Sequence, residues 1–250
     1  MPGGILGAAE RFRDDDGSAD PAAAAALGAF AAGTGSEHAA LLALATARLL
    51  VPVLAEAEAP VPAAAGEKSS DLALPTLVGH DGRRAIPAFT SVEALARWQP
   101  AARPVPADAA RVWQAAAEDS CAVIIDVAGP VPLAVEGTRL AALAEGAPVP
   151  PPDEDPDIQS AVEAAITGVL ATLPAPGGGT PAAGAPATGA LVGFALHPGV
   201  DGGDLLIELT VAPMIDARQL AGLVGSAVVQ QLGSRLRRGI ALALSPARPA

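Results

Sequence analysis

The sequence predicts an α+β protein of two small domains, each a mixed β-sheet packed with helices. Two strings carry that reading. Residues 122–127 (AVIIDV) are almost all apolar and β-branched, the pattern of a central strand buried on both faces. Residues 146–157 (GAPVPPPDEDPD) combine prolines with an acidic run, a stiff extended boundary between two sets of elements. On either side, short apolar strands mix with segments of helical period. The expected organisation is a flexible, solvated acidic lead-in over 1–19, a first domain over 20–146, a Pro-rich acidic linker over 147–157 and a second domain over 158–250, with a flexible loop at 174–189.

The elements follow in order. Asp20 and Pro21 start a helix, because the Asp carboxylate accepts first-turn amides and Pro fits the first helical position. Gly33 ends it, and Ser36 caps a second helix that runs to about residue 47. Residues 49–54 form a strand with Pro52 inside, which reads as an edge strand or a strand with a bulge because proline cannot donate to a ladder. Residues 56–70 carry Pro, Ala and Glu without a period and read as a flexible loop or a hairpin insertion. A strand over 72–78, a polar turn over 79–84 and a strand over 85–89 make a hairpin. Thr90 or Ser91 caps a helix through Trp98, and residues 100–106 are extended. Asp108 caps the helix over 109–117, which turns Val112 and Trp113 to the core. After the buried strand come a Gly129-Pro130 turn, a strand over 131–135 and a helix over 138–144. In the second domain, apolar positions at helical spacing mark a helix over 158–173. Strands at 191–196 and 205–211 flank a turn at 197–203. A helix runs from Asp216 through Leu232, with Arg235, Arg237 and Arg238 beyond it near its negative end, and a last strand covers 240–244.

Composition excludes several functions. The formal net charge is −12, and the basic residues that lie close together are Arg83/Arg84 and Arg235/Arg237/Arg238, so a nucleic-acid surface is not expected. With 51% hydrophobic residues, 4 Phe, 2 Trp and no Tyr, the core must be closely packed Ala, Val, Leu and Ile. Cys121 is the single cysteine, which rules out an intramolecular disulfide. The start of the chain lacks a signal-peptide pattern, and the longest apolar candidate, 38–57, is broken by Arg48 and Pro52. The expected setting is the cytoplasm, away from membranes.

Three strings carry a family resemblance. LPTLVGHDGRRAIPAFTSVEALARW combines a strand, an Asp-Gly turn, Pro-Ala-Phe-Thr-Ser and a helix ending in Trp; ARLLVPVLAE supplies an earlier strand with Val-Pro-Val; CAVIIDVAGPVPLAVEGTRLAAL closes with strand, strand and helix. Together they resemble the amino-terminal domain of the SseB (enhanced serine sensitivity) family, over about residues 10–147. RFRDDDGSADPAAAAAL is similar to the Ala-rich actinobacterial branch. The region after the linker is similar to that family's carboxy-terminal domain in element order and length. Many relatives carry Asn-Pro after the central strand, where this chain has Asp126-Val127 and then Gly129-Pro130. The resemblance implies a cytoplasmic accessory or interaction protein and brings no catalytic residues with it. A serine-sensitivity phenotype and a type III secretion label attach to the family, and neither defines a chemistry.

The residues themselves offer no catalytic constellation. Cys121 sits at the start of an apolar strand beside Glu118-Asp119, so it reads as a core thiol rather than a nucleophile. His38, His80 and His197 lack metal-ligand spacing and read as solvated, one at a helix start and two in turns. Asp14-Asp15-Asp16-Gly17 lacks the alternation of a calcium loop, and Asp153-Glu154-Asp155 reads as a solvated linker. Gly177-Gly178-Gly179-Thr180 has no lysine and the wrong element order for a phosphate loop. No cofactor, metal or catalytic site is therefore expected. What remains is a partner surface: Val51 and Val53 on an edge strand, open to strand addition, or Phe89, Thr90 and Trp98. The reading is a non-catalytic interaction or regulatory protein with an unidentified protein partner. The alternative is a small-ligand binder or enzyme with its site at the domain interface.

Overall fold

The computed structural model describes residues 12–54, 75–80, 82–173, 191–211 and 216–247. The loops expected at 56–70 and 174–189 lie outside the described residues. The chain divides into two compact units, one of residues Met1–Ala31 and Leu41–Val149, the other of Ala32–Ala40 and Pro150–Ala250. Both are α+β.

The first unit opens with α1 (Pro21–Ala31). Asp20 accepts from Ala22 N at 2.9 Å and Ala23 N at 3.0 Å, the expected cap. α2 (Glu37–Leu44) spans the division after residue 40, and Ser36, in the second unit's segment, caps it by accepting from Ala39 N at 3.1 Å. Next come β1 (Arg48–Val53), β2 (Leu77–Val78), β3 (Arg84–Ala88), α3 (Val92–Trp98), β4 (Arg103–Asp108), α4 (Ala109–Glu118), β5 (Ala122–Ile125), β6 (Leu133–Val135) and α5 (Gly137–Glu145). One sheet has the order β2-β3-β5-β6, with β3 and β5 parallel and the outer pairs antiparallel. β1 and β4 form a separate antiparallel ribbon.

Alternation along β5 decides which face is core. Val123 and Ile125 are fully buried, as are Val112, Trp113 and Ala116 of α4. Ala122 and Ile124 point the other way and are only half-buried. The strand is central, as the sequence predicts, but it is not buried on both faces. The apolar run conceals an ordinary alternation, because Ala and Ile on the second face lack a complete covering layer.

The ribbon also departs from expectation. Leu50 N donates to Phe89 O at 2.7 Å, and Phe89 N donates back to Leu50 O at 2.8 Å. Leu50 therefore faces β3, and by alternation Val51 and Val53 spend their backbone groups on Val105 and Arg103 of β4. Pro52 shares the orientation of Leu50 and has no N–H to offer. On β4, the residues facing away from β1 include Pro104 and Pro106, so that outer edge also lacks donors at both positions. Asp108 ends β4 and makes no side-chain cap bond to α4.

The second unit contains α6 (Pro156–Thr172), β7 (Leu191–Pro198), β8 (Leu205–Val211), α7 (Ala217–Leu232) and β9 (Ile240–Pro246). Its sheet order is β7-β8-β9, first antiparallel and then parallel. Leu205, Ile207, Leu209 and Val211 of β8 pack with Ile158, Val162 and Ile166 of α6 and with Leu220, Val224 and Val228 of α7. His197 lies within β7 rather than in a turn.

A buried ion cluster ties this unit together. Arg235 Nε donates to Glu37 Oε2 at 3.0 Å, and its NH2 donates to Asp155 Oδ2 at 2.6 Å. Asp155 is 1% exposed and also caps α6, accepting from Asp157 N at 2.9 Å. It is thus not part of a solvated stretch. Burial pulls the Arg235 guanidinium pKa down, but the charge of Glu37 and the bonds to both carboxylates raise it above its ordinary value. Arg238 meets buried Asp204 through Nε at 2.8 Å and backbone N at 2.7 Å. Both arginines therefore serve carboxylates, where the sequence suggested the end of the preceding helix. Asp155→Ala would leave the buried Arg235 with Glu37 as its remaining carboxylate and remove a cap, at a cost of roughly 2–4 kcal/mol. The triple change Glu37→Gln, Asp155→Asn, Arg235→Met removes all three charges together and should cost less than that single change. Urea unfolding of both variants checks the order.

Candidate functional site

Because helices α4 and α5 cover one face of the four-stranded sheet, the apolar residues of its other face are left to line a cleft of about 430 Å³. Its floor crosses every strand: Leu77 from β2, Ala85 from β3, Ala122 and Ile124 from β5, and Ala134 from β6. Trp98, at the end of α3, and Val127, just past β5, also line it. Arg83, Arg84 and Glu136 line it as well. Arg83 NH1 donates to both carboxylate oxygens of Glu136, at 2.9 and 2.8 Å. Arg84 is exposed and makes no ion pair among the described residues. A second cleft of about 490 Å³ shares Arg83, Arg84, Ala122 and Glu136, and reaches Cys121, Ala116, Leu140 and Ala141.

The sequence-predicted surface divides on inspection. Val51 and Phe89 are fully buried and Val53 is nearly so, which makes their side chains core. The reason is the pairing of β1 with β4 on one side and the Leu50–Phe89 bridge on the other. The edge expected at Val51 and Val53 is therefore already occupied. Trp98 stays partly exposed, with its ring centroid 5.4 Å from that of Phe89. Phe89 thus acts from behind, as the support that fixes the Trp98 wall.

Thr90 has a different role. Ser91 caps α3, accepting from Ala94 N at 3.2 Å. Thr90 instead donates to Asp126, from its backbone N at 2.9 Å and its hydroxyl at 2.7 Å. Asp126 sits just past β5 in the left-handed region, at φ 49°. Its carbonyl accepts from Gly129 N at 2.6 Å, and a Cβ on Gly129 would lie only 2.8 Å from that oxygen. Arg48 extends the network: NH1 donates to Thr90 O at 3.0 Å, Nε pairs with Asp15 at 2.6 Å, and NH2 donates to Ser18 O. Asp15 is therefore not a solvated lead-in residue; it docks onto β1.

The remaining candidates do not converge. Cys121 is 4% exposed, with Sγ 3.4 Å from Asp119 O. His80 is exposed on its turn. His197 Nε2 lies 3.0 Å from Glu208 Oε2, and Ser245 donates to Glu208 Oε1 at 2.5 Å. These bonds, Ser245 first and His197 second, hold the Glu208 carboxyl below its usual pKa. The carboxylate stands between hydroxyl and imidazole, so the ring cannot take the serine proton and the row is not a nucleophile with its base. Among the described residues, no group of three or more His, Cys, Asp and Glu could hold a metal, and no helix is long and apolar enough to cross a membrane.

Comparison with known families gives one result. Residues 24–142 match the SseB protein N-terminal domain. Those residues belong to the SseB family. No match was found among curated proteins or among solved structures. The matched stretch runs from within α1 to most of α5, and holds the cleft and the Thr90–Asp126 pair of the SseB domain. Sequence reasoning reached Trp98 but missed Leu77, Ile124, Val127 and Ala134 as its companions. Their signal was present in the alternation of Ala122 and Ile124 against Val123 and Ile125, which an all-apolar strand hides.

Two measurements test this geometry. Asp126→Ala should cost roughly 1–3 kcal/mol by stripping both Thr90 donors of their acceptor. Asp126→Asn should cost less, since Asn tolerates the left-handed region and keeps one amide oxygen. Equal shifts in urea midpoint would assign the loss to something other than those bonds. The Cys121 thiol should react slowly with a thiol reagent in native protein, and Cys121→Ala should fold with a loss of around 1 kcal/mol. Labelling of native protein as fast as of unfolded chain contradicts the burial.

Proposed function

We propose that the SseB domain is a non-catalytic, cytoplasmic interaction module and that the cleft on the open face of its sheet receives a protein partner. The observation that carries this reading is the chemistry of the lining. Leu77, Trp98, Ile124, Val127 and Ala134 present apolar area with one aromatic anchor, the composition by which interfaces bind. Glu136 is the one carboxylate among the described lining residues, and it is engaged by Arg83. A parallel strand pair is ordinarily covered on both faces, so the half-covered β3–β5 pair favours an occupant from outside the sheet.

Ala134 is exposed on β6 and lies at the cleft floor, away from the core. Ala134→Arg should keep the circular dichroism spectrum and melting temperature of the parent while losing proteins that co-purify with the tagged chain from its native host. Undiminished recovery of the same partner with Ala134→Arg would move the interface off this face.

A further inference from the structure

We infer that the occupant of the cleft is an amphipathic helix whose apolar stripe is bordered by carboxylates, and that Arg83 and Arg84 select it. This rests on the docking reading above. The floor consists of side chains standing on a sheet whose strands already bond to one another in the order β2-β3-β5-β6. A segment lying across that floor finds no backbone partners there and must satisfy its own, which a helix does and an added strand does not. Ala85, Ala122 and Ala134 keep the floor low enough for close approach, while Trp98 and Ile124 supply the larger contacts.

The charge at the rim fixes the partner's sign. The chain carries a formal net charge of −12, yet this cleft is flanked by two consecutive arginines. Arg84 has no ion pair among the described residues. The Arg83–Glu136 pair is exposed, with side chains 67% and 43% accessible, and exposed pairs of this kind are weak enough for an incoming carboxylate to replace. An acidic border on the helix would meet Arg84 directly and take Arg83 from Glu136.

The test uses the full chain and two fluorescein-labelled peptides of ~16 residues, long enough to form a helix on binding. Both carry the same Leu stripe, bordered by Glu in one and by Lys in the other. Anisotropy titration at low salt should give the Glu peptide the tighter binding, by about five- to tenfold, against the repulsion of the chain's overall charge. Arg83→Glu/Arg84→Glu should reverse the preference, and Ala134→Arg should remove binding of both. Equal binding, or tighter Lys-peptide binding by the parent chain, overturns the arginine selection; loss of both in Ala134→Arg would then leave the docking reading standing alone. Binding of neither peptide rejects the helix occupant. Self-association that Ala134→Arg abolishes would put a second copy of the chain in the cleft and overturn the proposal as well.

Discussion

The carboxylate of Asp126 is the tie on which the first unit depends. β3 and β5 run parallel, and parallel neighbours have no hairpin to hold their ends in step. Asp126 supplies that hold by taking both the amide and the hydroxyl of Thr90. Its left-handed backbone turns the chain toward β6 within a few residues. Arg48 fastens the same point to β1 and to the acidic lead-in, so that strand ends from three parts of the sequence meet at one polar knot. The cleft wall follows from this arrangement, since Val127 succeeds Asp126 and Trp98 closes the helix that begins at Ser91, next to Thr90.

The second unit uses charge differently. Glu37 stands 198 positions from Arg235 in sequence, yet the two meet beside Asp155 with little exposure. Such a cluster contributes modest net stability but penalises any arrangement that leaves one member alone. It selects one packing of the segment 32–40 and the start of α6 over others of similar apolar area. In a core built almost wholly of Leu, Ile and Val, where aliphatic side chains of similar size fit several arrangements, that selectivity matters more than it would among large aromatics.

Much of the fold was legible because local rules agreed with it. The caps at Asp20, Ser36, Ser91 and Asp216 and the helical spacing in α6 rest on nearest-neighbour chemistry that sequence displays directly. The failures share another cause. Whether Val51 faces solvent depends on β4, which lies more than fifty residues away. Whether Asp155 is solvated depends on Arg235, and whether Thr90 is a cap depends on Asp126. The site was half visible for the same reason: Trp98 announces itself by size, whereas Ala134 and Ile124 acquire meaning only when β5 and β6 are set side by side.

The prolines of the β1–β4 ribbon bear on how this chain lives at high concentration. A sequence with 51% hydrophobic residues and several Ala- and Val-rich strands carries the raw material of fibrils. Fibril growth needs a row of alternating donors and acceptors to copy. The outer side of β4 breaks that row at Pro104 and Pro106, and Pro52 breaks it on the far side of β1. An incoming strand would find carbonyls without the amides between them, so the ribbon cannot serve as a template for polymerisation.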